Sequence, residues 1–157
     1  MNENYRRVKS LSEYCLGCGL CRLACRVAHS PYPEDIIRAM KTGEKPVPRL
    51  YIEETLDGCD YRTVRCQHCE EPECIKVCIG GALRKDPETG TVFLDQDRCV
   101  GCFSCVLACP HGAVAGPDSG FGKAFKCDLC QGLASPACVG LCPNAALIVV
   151  DIREEEV

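Results

Sequence analysis

Alternating apolar and polar positions predict several short strands joined in hairpins. The clearest pair is VPRLYIEE at residues 47–54 and DYRTVR at 60–65, on either side of the turn residues TLDGC. GALRK and TVFLD flank the turn-rich DPETG at 86–90, and GAVAG and GKAFK flank PDSGF. ALIVVD at 146–151 predicts a final strand. The pattern therefore indicates sparse secondary structure made mostly of hairpins.

The sequence predicts little helix and contains few large apolar residues for a core. The small and apolar residues FSCVLA between Cys102 and Cys109 predict about two turns of helix, which Pro110 ends. The 157 residues include only 4 Phe, 5 Tyr and no Trp. Because this apolar set is thin for the length, something other than side chains is expected to fill the interior.

Cysteine dominates the chemistry of this chain, with 17 residues. Sixteen of them form four groups that all end in CxxxC; the first and third groups have the spacing CxxCxxCxxxC, and the second and fourth widen the middle gap. Cys59 lies outside the groups, and we interpret it as a free thiol. The groups are Cys15, Cys18, Cys21 and Cys25; Cys66, Cys69, Cys74 and Cys78; Cys99, Cys102, Cys105 and Cys109; Cys127, Cys130, Cys138 and Cys142.

The groups belong to an internal repeat, since CIGGAL, CPHGAV and CPNAAL follow the last cysteines of the second, third and fourth groups. The first group departs from this pattern. RVAHSP follows Cys25, and about forty residues separate it from Cys66. We interpret residues 26–65 as an insertion.

The spacing favours cubane [4Fe-4S] clusters, in which a loop with cysteines three residues apart binds three irons. In bacterial two-cluster ferredoxins the fourth cysteine of such a run ligates the other cluster. Spacing alone leaves open whether the third group exchanges its last cysteine with the second or the fourth group. A structural zinc site is the alternative, although paired CxxC motifs would not need the additional cysteines.

Charge and hydropathy exclude several classes. The net charge is −4, without the basic footprint of a nucleic-acid-binding protein. No apolar run reaches the roughly 18 to 20 residues that span a bilayer, so we expect no direct membrane insertion. Arg6 and Arg7 resemble a twin-arginine signal, but no apolar stretch follows them. A cytoplasmic location is expected, where reduced cysteines favour metal binding over disulfides.

Three stretches carry a family resemblance that covers nearly the whole chain: residues 66–83, 97–114 and 127–147. The sequence resembles the four-cluster ferredoxin-like electron-transfer subunits of the dimethyl sulfoxide reductase iron–sulfur family. It is most similar to the short soluble members that accompany carbon monoxide dehydrogenase, hydrogenase or tungsten aldehyde oxidoreductase. Ile79 departs from the usual proline, and the gap between Cys130 and Cys138 is shorter than in larger members. Neither departure removes a cysteine.

The resemblance implies an α+β fold of two nested two-cluster ferredoxin-like halves with little conventional core. Residues 1–157 would form one domain, with an inner half at about 59–126 and an outer half at about 1–30 with 127–157. Four [4Fe-4S] clusters would bind as follows: Cys15, Cys18, Cys21 and Cys142; Cys127, Cys130, Cys138 and Cys25; Cys66, Cys69, Cys74 and Cys109; Cys99, Cys102, Cys105 and Cys78.

We identify no acid–base pair, activated nucleophile or phosphate loop, so a non-catalytic subunit is expected. Such a subunit would relay electrons between a tungsten, molybdenum or nickel catalytic subunit, formate dehydrogenase included, and a second partner such as a flavin subunit that reduces NAD. A free shuttle and self-association remain alternatives. His68 and His111 are expected to pack or hydrogen-bond. Arg65, Arg98 and Lys126 each precede a cysteine group, and either favour cluster reduction or are solvated surface charges.

Overall fold

The computed structural model describes residues 6–42, 46–58, 60–117 and 120–151, in which short helices alternate with short strands. This confirms the expected α+β class. The strands are β1 (Arg6–Ser10), β2 (Leu50–Glu54), β3 (Tyr61–Arg65), β4 (Leu83–Lys85), β5 (Val92–Leu94), β6 (Val114–Ala115), β7 (Phe125–Lys126) and β8 (Leu147–Asp151). The helices are α1 (Leu20–Ala28), α2 (Ile36–Lys41), α3 (Glu73–Lys76), α4 (Ser104–Ala108) and α5 (Ala137–Gly140), with a 3-10 turn at Ser12–Tyr14.

The three hairpins predicted from local alternation are confirmed. β2 pairs with β3, β4 with β5 and β6 with β7, all antiparallel. In the second hairpin the backbone N–H of Asp86 donates to the carbonyl of Thr91 at 2.9 Å, and that of Gly90 donates to Asp86 at 2.8 Å. These bonds close the loop that the DPETG residues predict.

The predicted final strand, β8, pairs with β1 from the other end of the chain. The antiparallel register runs from Arg6 opposite Asp151 to Ser10 opposite Leu147. The N–H of Leu11 extends the pairing by donating to the carbonyl of Ala146 at 2.8 Å. The two ends of the described chain therefore form one ladder.

Two hydrophobic clusters form the interior, and cysteines are members of both. The outer cluster has Val8, Leu50 and Leu147 beside buried cysteines of the first and fourth groups. The inner cluster has Leu83 and Val92 beside buried cysteines of the second and third groups. The limits of the two expected halves stay a prediction, but each pair of groups has an apolar core of its own.

The expected insertion at 26–65 packs closely on the outer cluster, since β2 supplies Leu50 to it. It also contains α2, whose first turn is capped by the side chain of Asp35, which accepts from the N–H of Arg38 at 2.9 Å.

Helix α4 is shorter than the predicted two turns. It has five residues, and Cys109, directly before Pro110, is already extended with φ −76° and ψ 112°. Proline disfavours helical backbone at the preceding residue, so the expected stop is confirmed. In the described residues no helix is both long enough and apolar enough to cross a membrane.

Candidate metal centres

The first candidate centre is a cavity lined by four cysteine side chains from two distant motifs. Ile52, Leu147 and Thr63 contribute to the rest of its wall. Burial raises the pKa of the Cys21 thiol, and the negative charges of the other three sulfurs raise it further. The four cysteines are Cys15, Cys18, Cys21 and Cys142.

A second cavity repeats this arrangement with cysteines of the second and third motifs. Leu83 and Phe103 line it as well. Ile79, the residue that stands in place of proline, is 77% exposed. The cysteines are Cys99, Cys102, Cys105 and Cys78.

Two further sets of cysteines meet through their electrostatic interactions. The pKa of the Cys138 thiol is raised to about 12 by burial, and the charges of Cys127, Cys130 and Cys25 also raise it. Burial likewise raises the pKa of Cys69, with contributions from Cys66 and Cys109.

Cys74 belongs with this last set, since Cys66 and Cys109 both raise the pKa of its thiol. The structure therefore brings the last cysteine of each motif beside the first three of another motif. It pairs the third group with the second and the first with the fourth.

Burial has a chemical consequence for these thiols. It raises the pKa of Cys25 to about 12 and that of Cys74 to about 11. A buried thiolate without a cation is unfavourable, whereas a bound metal ion stabilises it. Sets of four converging sulfur atoms in a water-poor interior are therefore a suitable donor set for a cubane iron–sulfur cluster.

Glycine shapes the loops that carry the first three cysteines of two motifs. Gly17 in CLGC and Gly101 in CVGC occupy the same position and have φ of +65° and +71°. A Cβ atom at Gly17 would lie 2.8 Å from the ring of Tyr61, and one at Gly101 would lie 2.2 Å from the carbonyl oxygen of Gly122. Both positions therefore require glycine for its backbone conformation and for its small size.

Backbone N–H groups point at the sulfur atoms of the exchanged cysteines. The N–H of Ala82 donates to Sγ of Cys78 at 3.3 Å, and the N–H of Ala113 donates to Sγ of Cys109 at 3.4 Å. The donor is four residues after the cysteine in both cases, which is the same position in the repeated CIGGA and CPHGA. Hydrogen bonds to sulfur are one of the factors that set cluster potentials.

The two histidines differ. His68 is buried, and its Nδ1 accepts a hydrogen bond from the N–H of Val92 at 3.0 Å, which confirms the expected hydrogen-bonding role. His111 is exposed, which does not fit a packing role. Cys59 lies outside the described residues, so its interpretation as a free thiol stays a prediction.

The sequence did not predict a cluster of charged and polar side chains that lies beside the set of Cys25, Cys127, Cys130 and Cys138. His29 contacts Asp128 at 3.1 Å, and Arg49 forms an ion pair with the same carboxylate. Although burial raises the pKa of Asp128, the His29 hydrogen bond and the Arg49 charge outweigh it and hold that pKa below its usual range. The side chains of His29, Asp128 and Cys130 are close enough to hold a metal ion. The carboxylate of Asp128 already interacts with His29 and Arg49, however. The only signal in the sequence was the aspartate inside CDLC.

Comparison with known proteins agrees with this donor set. Residues 57–152 match the family model of the 4Fe-4S dicluster domain. The chain belongs to this family. The expectation of an iron–sulfur protein with [4Fe-4S] clusters is therefore confirmed, whereas the family model by itself does not give their number.

Relatives that are more than 35% identical to this chain are named as electron-transfer proteins. Electron transport protein HydN of Escherichia coli K12 is 39% identical over 158 residues, covering 90% of this chain and 86% of HydN. Thiosulfate reductase electron transfer subunit PhsB of Salmonella typhi is 37% identical over 149 residues, covering 91% of this chain and 74% of PhsB. The family member described here is thus an electron-transfer subunit and not a catalytic one.

A solved structure supports the fold. A chain in the active-site complex BamBC of benzoyl-coenzyme A reductase matches with a TM-score of 0.50 at 23% identity, covering 92% of this chain and 76% of that chain. At this identity the likeness concerns the arrangement of helices and strands.

Proposed function

We propose that the chain binds four [4Fe-4S] clusters and relays single electrons between a catalytic oxidoreductase subunit and a second redox partner. The observation that carries this proposal is the meeting of sixteen cysteines in four interleaved sets of four. The proposed ligands are Cys15, Cys18, Cys21 and Cys142; Cys25, Cys127, Cys130 and Cys138; Cys66, Cys69, Cys74 and Cys109; Cys78, Cys99, Cys102 and Cys105.

Electrostatic interactions between cysteines of different sets, and the exposure of two cysteines, support an order of the four centres along the electron path. Cys127 and Cys66 interact electrostatically, which makes their sets the central pair. Cys18 and Cys102 are the exposed thiols of the two remaining sets. We therefore place electron entry and exit at these two ends, where a partner's cofactor can approach closely.

Cysteine thiolates, backbone N–H groups and a largely dry interior are what the protein contributes to this relay. A [4Fe-4S] cluster supplies one-electron chemistry when bound. The chain's own residues hold each centre at a fixed position and set its environment through hydrogen bonds, charge and exposure.

For the partner, we propose a tungsten, molybdenum or nickel enzyme, with a flavin subunit that exchanges electrons with NAD at the other end. PhsB, a thiosulfate reductase subunit by name, supports assembly with a catalytic chain. The proposed location is the cytoplasm. The competing functions are a free shuttle, which would leave its partners reversibly at moderate salt, and self-association into a longer conductor.

Metal analysis after anaerobic purification tests the central proposal. Four cubane clusters require about sixteen iron and sixteen acid-labile sulfide per chain. Bound zinc with no labile sulfide would contradict the proposal. About eight iron per chain would reduce the relay to two centres.

A further inference from the structure

Three cations lie buried around His68, at the place where β1 meets the inner hairpin. Arg65 and Lys126 are each 3% exposed and Arg7 is 8% exposed. Nη2 of Arg7 donates to the carbonyl of Gly90 at 2.9 Å and to that of His68 at 3.2 Å. Nδ1 of His68 accepts a hydrogen bond from the backbone N–H of Val92 at 3.0 Å.

Two of these cations occupy equivalent places in the repeat. Arg65 is the last residue of β3 and precedes Cys66, and Lys126 is the last residue of β7 and precedes Cys127. Arg98 has the corresponding place before the third group but is exposed. Of the three cations that precede a cysteine group, the fold therefore buries only the two beside the central pair of centres.

Each buried cation interacts with the centre of the other motif as well as with its own. The charges that act on Arg65 are, in decreasing order, those of Cys127, Cys138 and Cys66. Lys126 in turn interacts electrostatically with both Cys74 and Cys127. The Arg65 and Lys126 side chains therefore each interact with cysteines of both central sets.

No carboxylate in the described part of the chain forms an ion pair with Arg65 or Lys126. Lys126 is held by neutral groups, since its Nζ donates to the carbonyls of Val92 and, at 2.7 Å, Cys127. Nε of Arg65 is buried without a hydrogen-bond partner. A buried cation is costly unless an anion is close. The groups whose negative charge favours the Arg65 cation are the sulfurs of Cys127, Cys138 and Cys66.

We propose that Arg65 and Lys126 are tuning residues that raise the reduction potentials of the two central clusters and leave the two end clusters largely unaffected. The inference rests on the proposed four-cluster relay. An added electron is a negative charge, and a fixed cation in a water-poor site stabilises it more than an exposed cation does. The centre of the relay then holds electrons more readily than it would with neutral residues at these positions.

The test is a redox titration of the full chain with its clusters assembled, followed by electron paramagnetic resonance. In Arg65→Met we expect the midpoint potentials of two of the four clusters to shift downwards while the other two stay in place. Lys126→Met should shift the same two. Arg65→Lys keeps the charge and should return the native potentials. Arg98→Met, the exposed counterpart, is the control and should leave the two central clusters unchanged.

Iron and sulfide content, measured on every sample, separates failure of this proposal from failure of the relay itself. Fewer than four clusters in the native chain would contradict the proposed four-cluster relay itself. Native cluster content in Arg65→Met and Lys126→Met with unshifted potentials, or with one equal shift of all four, would overturn the tuning role. If Arg65→Met loses clusters, Lys126→Met and Arg65→Lys decide the matter by the same criteria.

Discussion

Cysteines of a single motif lie in different surroundings. Cys102 is exposed, and the backbone N–H of Ser104 lowers its pKa, whereas burial raises the pKa of Cys105 three residues later. Cys109 lines neither cavity and interacts with Cys69 and Cys74 of the preceding motif. Substitutions within one motif should therefore affect different centres.

Replacing Cys109 with serine tests the exchange directly. Cys109→Ser should perturb the spectrum and potential of the cluster assigned to Cys66, Cys69 and Cys74, because a serine oxygen is a harder ligand than a thiolate. Cys105→Ser is the matched control, and it should perturb the cluster of its own motif. Electron paramagnetic resonance distinguishes the two. The same cluster lost in both variants would contradict the exchange.

Gly101 allows a second substitution test. Gly101→Ala should cost about 2–4 kcal/mol of stability, since the left-handed backbone costs about 1 kcal/mol and the collision with Gly122 adds to it. Gly112→Ala shares the positive φ but would meet nothing within 4 Å, so about 1 kcal/mol is expected. Thermal unfolding of the assembled protein gives both values. Equal losses would show that the Gly122 contact has no effect.

The hairpins have a local signal in the sequence, whereas the β1–β8 ladder does not. Each hairpin is encoded locally by alternation and turn residues such as DPETG, so it could be predicted from the sequence. The pairing of Val8 with Val149 has no local signal because it joins opposite ends of the chain. Helix α1 could have been found, since its buried Cys21, Ala24 and Cys25 follow helical spacing.

The ladder should contribute to stability mainly at the end where it contacts the outer cluster. Leu147 is 2% exposed in the outer cluster, and Leu147→Ala should cost about 2–4 kcal/mol by leaving a cavity. Val149 lies on the same strand but is 37% exposed, so Val149→Ala should cost about 0.5 kcal/mol or less. Denaturant unfolding under anaerobic conditions measures both. A comparable loss in the two variants would argue against the assigned outer core.

Over the whole molecule, the described residues form two small apolar clusters, and both include cysteines. The sequence predicted this from its few aromatic residues and its cysteine groups. It did not predict which cations are buried, because Arg65, Arg98 and Lys126 look alike before their motifs and only packing distinguishes them. Apart from the aspartate inside CDLC, it carried no signal that His29 and Arg49 would meet Asp128, which is far from both along the chain.

Removal of iron should therefore unfold the chain. A chelator with a reductant should abolish the protection of the hairpins against proteolysis. The buried thiolates of Cys25 and Cys138 lose the metal cation that stabilises them, and the contacts that this cation holds together are lost. Circular dichroism and limited proteolysis follow the change, with the reductant alone as the control. An iron-free chain with native protection would contradict this account of stability.

The pairing of β1 with β8 has a consequence for the nascent chain. Residues 6–10 find their strand partner only when residues 147–151 have been made. At about 5–20 residues per second the ribosome needs roughly seven to twenty-seven seconds for the intervening stretch. During that time the CLGC loop also lacks Cys142, its proposed fourth ligand, whereas the second and third motifs are complete well before synthesis ends. Maturation should thus begin in the middle of the sequence and finish where its two ends meet.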